Sequence, residues 1–268
     1  MKQSLITVRR GSMKYLAYIV LTIASFMGNI SVAFAQWSVT GGVEYFKWRE
    51  STVPSVTETG PRFAAGLNWN QSKDAGWLAA YRGKLYIGRV DYSGALLLTG
   101  APVSGRTDYN GITNEIQAIY RAAGSTVDFV GGLGWDYWQR DLSASQKEDF
   151  NIVFLRLGAD LNTRTKVGFY GGAGVKYPVY TRENAHLTDI GFDQNPDLKP
   201  GKDVSLYAQL GYRLNNRWDL IGYYDSYRFS QSDSVRVTAI RSFPGTNFSL
   251  IQPRSSMDAF GVKLQYTF

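Results

Sequence analysis

From Gln36 to the end of the chain, apolar and polar residues alternate with a period of two in pieces of roughly 8 to 14 residues, and no stretch sustains the 3.6-residue period of an amphipathic helix. In the first piece Trp37, Val39, Gly41, Val43 and Tyr45 share one face, and Thr40, Gly42 and Glu44 the other. The second sets Phe63, Ala65, Leu67 and Trp69 against Arg62, Gly66 and Asn68, and the third sets Trp77, Ala79, Tyr81, Leu85 and Ile87 against Arg82, Lys84 and Gly88. Seven more pieces, beginning near Tyr109, Val127, Val153, Val167, Val204, Trp218 and Phe260, keep the rule. A soluble sandwich also alternates, but its strands run about 5–6 residues. A tilted strand needs about 9–11 residues to cross a bilayer, and most pieces here are that long. The expected fold is all-β: a transmembrane, antiparallel, up-and-down β-barrel of about ten strands.

The connections alternate as well. Short ones fall at 71–76, 121–125, 162–165 and 215–217, and long ones at 51–60, 91–108, 140–149, 181–202 and 230–257. Short periplasmic turns and long extracellular loops are the layout of outer-membrane barrels, and an even strand count puts both termini on the periplasmic side. Trp37, Trp69, Trp77, Tyr120, Tyr212, Trp218 and Phe268 gather at one set of strand ends. Tyr45, Trp135, Tyr137, Tyr177, Tyr224 and Phe260 gather at the other. Amphipathic rings prefer such interfaces. The last long connection contains another alternating piece, 235–240. It reads either as a hairpin above the membrane or, with 248–251 as its partner, as an extra strand of a twelve-stranded barrel; ten is preferred because these pieces are short.

Residues 1–35 read as an address. Lys2, Arg9, Arg10 and Lys14 form a basic region without acids, an apolar run of 13 follows from Tyr15 to Met27, and Ala33-Phe34-Ala35 is a small-x-small cleavage pattern. The apolar run falls short of the about 20 residues that a spanning helix needs. A cleaved secretory signal peptide over 1–35 and a barrel over 36–268 are expected, with translation beginning at Met1 or Met13. The formal charge of +7 then loses its force: 29 Lys/Arg less those four leaves 25 against 22 acids, or +3. That is no footprint for nucleic acid. The absence of Cys removes disulfides, thiolate metal sites and thiol catalysis, and a single His leaves little for metal or triad chemistry.

The final segment, Phe260-Gly-Val-Lys-Leu-Gln-Tyr-Thr-Phe268, ends on Phe with Tyr266, Leu264, Val262 and Phe260 at every second position before it. It resembles the C-terminal strand of Gram-negative outer-membrane β-barrel proteins. The resemblance implies that Phe260, Val262, Leu264, Tyr266 and Phe268 are an assembly signal for the barrel-assembly machinery. It also implies residence in the outer membrane among its lipid and lipopolysaccharide. It names no function.

On the faces assigned to the lumen, Arg62, Arg82, Lys84, Arg156, Arg213, Lys176 and Lys263 stand against Glu44, Glu115, Asp128, Asp136, Asp160, Asp219 and Asp225. A Lys or Arg in the lipid costs about 2–4 kcal/mol near the midplane, which favours this choice of faces. Around eight strands leave room for side chains only, and roughly 16–18 hold a wide channel. Ten strands therefore predict a narrow, salt-bridged and mostly blocked lumen. The competing reading is a narrow pore opened by inward Gly132, Gly134, Gly168, Gly172 and Gly174, which could equally make room for Tyr170, Trp138 or Arg156.

Some barrels of this class are enzymes, notably the omptin proteases, and use His with carboxylates or Ser. His186 is the one candidate; it reads as a solvated loop histidine, with no Asp–His pairing on adjacent strand ends. Asp136 and Asp225 are expected to pair with Arg140 and Arg228. Asp189, Asp193, Asn195 and Asp197 could suit a hard cation, yet their spacing matches no calcium loop. No catalytic, cofactor-binding or metal residues are expected. Arg236, Arg241 and Arg254, in a stretch without acids from 235 to 256, are candidate contacts for lipopolysaccharide phosphates or an acidic partner. The expected function is a surface interaction or structural protein acting through its outer loops on an unidentified ligand. A porin-like channel for small solutes is the alternative, and an outer-membrane hydrolase ranks third.

Overall fold

The computed structural model describes residues 35–95, 100–143, 146–241 and 243–268. Gln36–Phe268 forms one compact unit. The expected signal peptide, apart from Ala35, lies outside the described residues.

Among the described residues there are thirteen strands: β1 (Ala35–Glu50), β2 (Val56–Gln71), β3 (Gly76–Ala95), β4 (Pro102–Arg121), β5 (Val127–Asp141), β6 (Lys147–Leu161), β7 (Gly168–Ala185), β8 (Asp197–Leu198), β9 (Ser205–Arg213), β10 (Trp218–Phe229), β11 (Val235–Thr238), β12 (Asn247–Leu250) and β13 (Ser255–Thr267). Ten of them close on themselves in the order β1 to β7, β9, β10, β13. The closing seam joins β1 to β13 antiparallel, from Ser38 opposite Thr267 to Glu50 opposite Ser255. Two-residue β8 only pairs with the outer end of β7. β11 and β12 form a separate two-stranded sheet, in which Val237 faces Phe248, so the extra alternating piece does not widen the barrel.

The strands outrun the expected loops. Residues 91–108 read as a connection, but β3 and β4 pair without interruption up to Ala95 opposite Pro102. Each has 20 residues, about twice what a tilted crossing takes. The outer surface marks where lipid ends. Val43, Phe63, Ile87, Leu133, Leu157, Leu206 and Val262 stand exposed in an apolar belt. Beyond it, on the same outward faces, lie Arg89 paired with Asp108, Arg106 with Asp91, and Lys147 with Asp141. The belt corresponds to 39–45, 63–69, 77–87, 112–120, 129–137, 153–161, 169–177, 206–212, 218–224 and 260–266. Ring pairs mark its borders: Trp77 with Tyr120, Phe169 with Tyr212 and Trp218 with Tyr266 at the turn end, and Trp135 with Tyr137 and Tyr224 with Phe260 at the loop end. Phe260, Val262, Leu264 and Phe268 point outward into this belt.

Of the inward glycines expected to open a water path, Gly132, Gly134, Gly172 and Gly174 are closely covered, and Gly168 at the start of β7 meets only Thr165. Gly111 lies directly across from Tyr86, Gly134 from Phe154, Gly211 from Tyr170 and Gly261 from Tyr223. In each pair the aromatic ring lies over the glycine, where a Cβ would overlap it. Gly132 and Gly172 are covered in the same way by the carboxylates of Glu115 and Asp160, and Gly174 by Tyr207. The side chains gaining room are therefore mostly other than Trp138 and Arg156. Covering a strand glycine with a cross-strand ring restores packing and shields the backbone while flattening the ring against the wall. Substituting Gly211 by Val should displace Tyr170 and destabilise the barrel by about 1–3 kcal/mol. Urea unfolding in lipid vesicles, followed by tryptophan fluorescence, reads this out; an unchanged midpoint would mean that the ring has another place to lie.

Candidate functional site

The lumen is layered. A cavity of about 540 Å³ enters among the short turns, past Lys73, Asp74, Arg121 and Arg164, and ends against Lys84, Tyr223 and Asp225. At its mouth Arg121 holds Asp128 at 2.7 Å and Arg213 holds Asp219 at 3.0 Å, both also tied to backbone carbonyls. Asp219 accepts further bonds from Tyr170 and Gln265. Deeper in, Arg82 donates to the carbonyls of Trp69 and Tyr81 and to Asn70, with no carboxylate at ion-pair distance among the described residues. Asp160 is hydrogen-bonded by Gln209.

A second layer is dense with ion pairs. Glu44 binds Arg62 and accepts from Lys84 (3.4 Å) and the Tyr223 hydroxyl (2.7 Å). Asp225 takes Lys176 at 2.6 Å and Arg156 at 4.0 Å, and Arg156 also meets Glu115 at 3.3 Å. Asp136 is held instead by three hydroxyls, those of Tyr86, Thr113 and Tyr227. The expected partnerships of Asp136 with Arg140 and Asp225 with Arg228 are thus corrected. Arg140 sits higher in the barrel, and Arg228 faces outward to Asp258. Lys263 has a ring beneath it, Tyr223 at 5.1 Å, and no ion pair among the described residues.

Above this layer the barrel is filled with rings. Phe46, Trp48, Tyr86, Tyr109, Trp138, Phe150, Phe154, Tyr227 and Phe229 are all buried. Trp48 of β1 meets Phe150 of β6 edge-on at 5.4 Å, and these strands stand five apart around a wall of ten. Trp138 stacks on Phe150 at 4.9 Å and reaches Tyr227 at 5.9 Å. Opposite walls therefore touch. The cations of the layer below cap these rings, Arg62 lying 4.0 Å from the centre of Phe46 and Lys176 3.6 Å from that of Tyr227. Charge pairing was the expected means of blockage; the aromatic plug does most of it. Its signal was present in the inward alternation of Phe46, Trp48, Trp138 and Phe150, at strand ends that extend beyond the bilayer.

Outside the membrane belt, the plug is topped by a buried cluster built on Arg140. Its guanidinium binds Glu148, meets Glu50 at 2.9 Å and lies 3.7 Å from Glu58. Glu58 also accepts from Thr107 and Tyr109, and Glu50 from the Trp48 indole. The Gln252 amide, turned so that its nitrogen faces Glu183, donates to both of that residue's oxygens. Burial works against the charge of Arg140, but the surrounding glutamates hold it protonated more firmly than usual. Burial likewise raises the pKa of Glu58, Glu148 and, most strongly, Glu183, which also feels the charge of Glu148; Arg140 offsets the rise only in part. The sequence reading missed this cluster because Glu58 and Glu148 fell in expected loops and Glu183 beyond an expected strand end.

The loops also depart from expectation. His186 is not free in solvent: its Nε2 lies 3.0 Å from Oδ2 of Asp149, across the outer ends of β7 and β6. Of the candidate cation ligands, Asp193 accepts from the Thr238 backbone, Asn195 from the Thr188 backbone, and Asp197 from Arg182 and Asn184. Burial opposes the charge of Asp197, but those two donors outweigh it and lower its pKa. Arg236 and Arg241 are exposed on and beside the β11–β12 hairpin, where Arg241 covers Gly191. Exposed Arg254 stands instead at the foot of β13, its carbonyl bonded to Ser51.

No family model matches the chain, and no curated protein matches it. Among solved structures, the outer membrane protease OmpT from Escherichia coli is similar with a TM-score of 0.54 at 11% identity, over 90% of this chain and 99% of that one. The toluene transporter TodX from Pseudomonas putida gives a TM-score of 0.38 at 12% identity, over 91% of this chain and 93% of that one. The outer membrane protein OprG from Pseudomonas aeruginosa gives 0.37 at 14%, over 88% and 96%. The likeness to OmpT carries the fold, that of an outer-membrane β-barrel, and nothing finer.

The glutamate cluster makes stability depend on pH. A carboxyl whose pKa is higher in the folded state binds more protons there than in the unfolded chain, so stability falls as pH rises from the ordinary Glu value of about 4.3 through the raised folded values. Replacing Glu183 by Gln should flatten that fall and raise stability at neutral pH. Thermal unfolding of both proteins between about pH 4 and 8 measures the difference; parallel curves would remove Glu183 as its source.

Proposed function

We propose that this chain is a closed barrel of the Gram-negative outer membrane that works at the cell surface instead of passing solutes. The observation carrying this reading is the ring contact across the lumen, Trp48 of β1 against Phe150 of β6, with Arg140 and its glutamates packed on top. The turn end faces the periplasm and the long strands project outward. Residues 1–35 serve as a cleaved export signal, and the outward alternation of β13, ending on Phe268, addresses the barrel-assembly machinery. In this reading the projecting β3–β4 hairpin, the β11–β12 hairpin and the collar of ion pairs form the working surface. Arg236 and Arg241 offer guanidinium groups to lipopolysaccharide phosphates or an acidic ligand, while Arg254 lines a separate groove with Arg228.

A second reading, hydrolysis at the outer rim, draws on one observation. His186 and Asp149 are held at 3.0 Å with each side chain about a quarter exposed (27% and 26%), as a base and its orienting carboxylate would be. It ranks second because a base without a placed nucleophile or substrate-binding groups specifies no reaction.

Conductance decides between a closed and an open lumen. Protein purified from outer membranes and reconstituted in a planar bilayer should show no unitary steps, whereas the double variant Trp48→Ala/Phe150→Ala should conduct. Reproducible steps from the unmodified protein, altered by Arg156→Ala, would make it a selective channel. Loss of a peptidase activity upon His186→Ala, with the barrel intact, would move the second reading to first.

A further inference from the structure

The ion pairs do not reach every cation of the cavity below the plug. Eight Lys or Arg residues line it against five Asp or Glu, and Glu44 and Asp219 behind the lining pair with Lys84 and Arg213. The excess is least compensated at the blind end. Lys263 projects from β13 with no ion pair among the described residues, and its charged surroundings are chiefly Lys84, Arg82 and Arg156, with Asp225 the acid among them. Asp225 is already engaged by Lys176 at 2.6 Å and by Arg156. Arg82 is held by two carbonyls and an amide oxygen and makes no ion pair among the described residues, Glu115 and Asp160 being the acids in its surroundings. The blind end thus holds an ammonium and a guanidinium without ion pairs among the described residues, beside two cations that are already paired, Lys84 with Glu44 and Arg156 with Glu115.

Like charges brought together away from bulk solvent repel, and their repulsion is stronger than in water because the plug and the lipid on either side lower the local dielectric. The arrangement is stable when a counter-charge joins it. A monovalent ion would serve only one of the two unpaired groups. An oxyanion with two charges and several acceptor oxygens would meet both Lys263 and the Arg82 N–H groups not already bonded to Trp69, Tyr81 and Asn70, through charge-assisted hydrogen bonds. The volume is also ample, since sites for small molecules run from about 300 to 1,000 Å³.

We propose that the blind end of this cavity binds a small multivalent oxyanion, a phosphate or a phosphoryl group, that enters from the periplasm, with Lys263 and Arg82 as principal contacts. The sidedness rests on the turn end facing the periplasm and on the closed lumen proposed above. Binding itself rests on neither.

Isothermal titration calorimetry of the purified protein in lipid nanodiscs, open at both faces, with inorganic phosphate tests it. Saturable binding is expected, weakened at least about tenfold by Lys263→Met and by Arg82→Gln, as befits loss of a hydrogen bond to a charged group. The exposed-loop variant Lys199→Gln should bind as the unmodified protein does. No saturable heat, or equal affinity in the Lys263→Met and unmodified proteins, overturns the proposal. If neither variant folds, phosphate protection of Lys263 against an amine-acetylating reagent, read by mass spectrometry, makes the same decision in the unmodified protein. Glucose 6-phosphate in place of inorganic phosphate then separates a site for the free ion from one for a phosphorylated metabolite. A conducting lumen in the bilayer experiment would remove the sidedness and leave the binding result standing.

Discussion

Every backbone N–H and C=O that faces hydrocarbon must find its partner within the protein, because lipid offers none. For a chain of strands this leaves one solution, a sheet without edges, and the pairing of β1 with β13 supplies it. Much of the remaining structure follows from that seam. It fixes the wall at ten strands, fixes the lumen as too narrow to be a wide channel, and obliges each strand to alternate between lipid and interior. Outward positions within the belt become apolar and ring-bordered. Inward positions become a packing problem.

The lumen solves that problem in three ways along its axis. Towards the loop end, rings meet across the barrel, and glycines on neighbouring strands let other rings lie flat. In the middle, charges pair and shared cations join the layers, since Arg62 binds Glu44 while lying against Phe46. At the turn end the filling stops and leaves a cavity whose charge is not balanced. The two ends of one barrel are thus chemically different. The outer end is dry and acidic at its core, with Glu50, Glu58, Glu148 and Glu183 around one arginine. The turn end is hollow and lined by more cations than acids.

Strand length links the fold to the surface. β3 and β4 carry the sheet well beyond the belt, so part of the loop end is a rigid extension of the wall. The same extension brings Asp149 and His186 together and gives Arg140 a floor of aromatic rings. Asp149 and His186 lie above the lipid and are about a quarter exposed, whereas Arg140 is buried.

The sequence by itself determined the architecture, because period-two alternation, strand length and ring placement are local consequences of lipid outside and protein inside. The inward positions of Glu44, Arg62, Lys176 and Asp225 could be read for the same reason: parity along a strand fixes the face. What parity cannot give is the neighbour across the lumen. That depends on which strands stand opposite once the seam closes, and it decided that Asp136 meets three hydroxyls instead of Arg140, that Trp48 meets Phe150, and that Lys263 makes no ion pair among the described residues. Tertiary structure also decided where the strands end. Beyond the belt alternation persists but the outward face turns polar, so Glu58, Glu148 and Glu183 looked like loop residues although each belongs to a paired strand. Pairing between strands, a relation among distant segments, is what placed them inside.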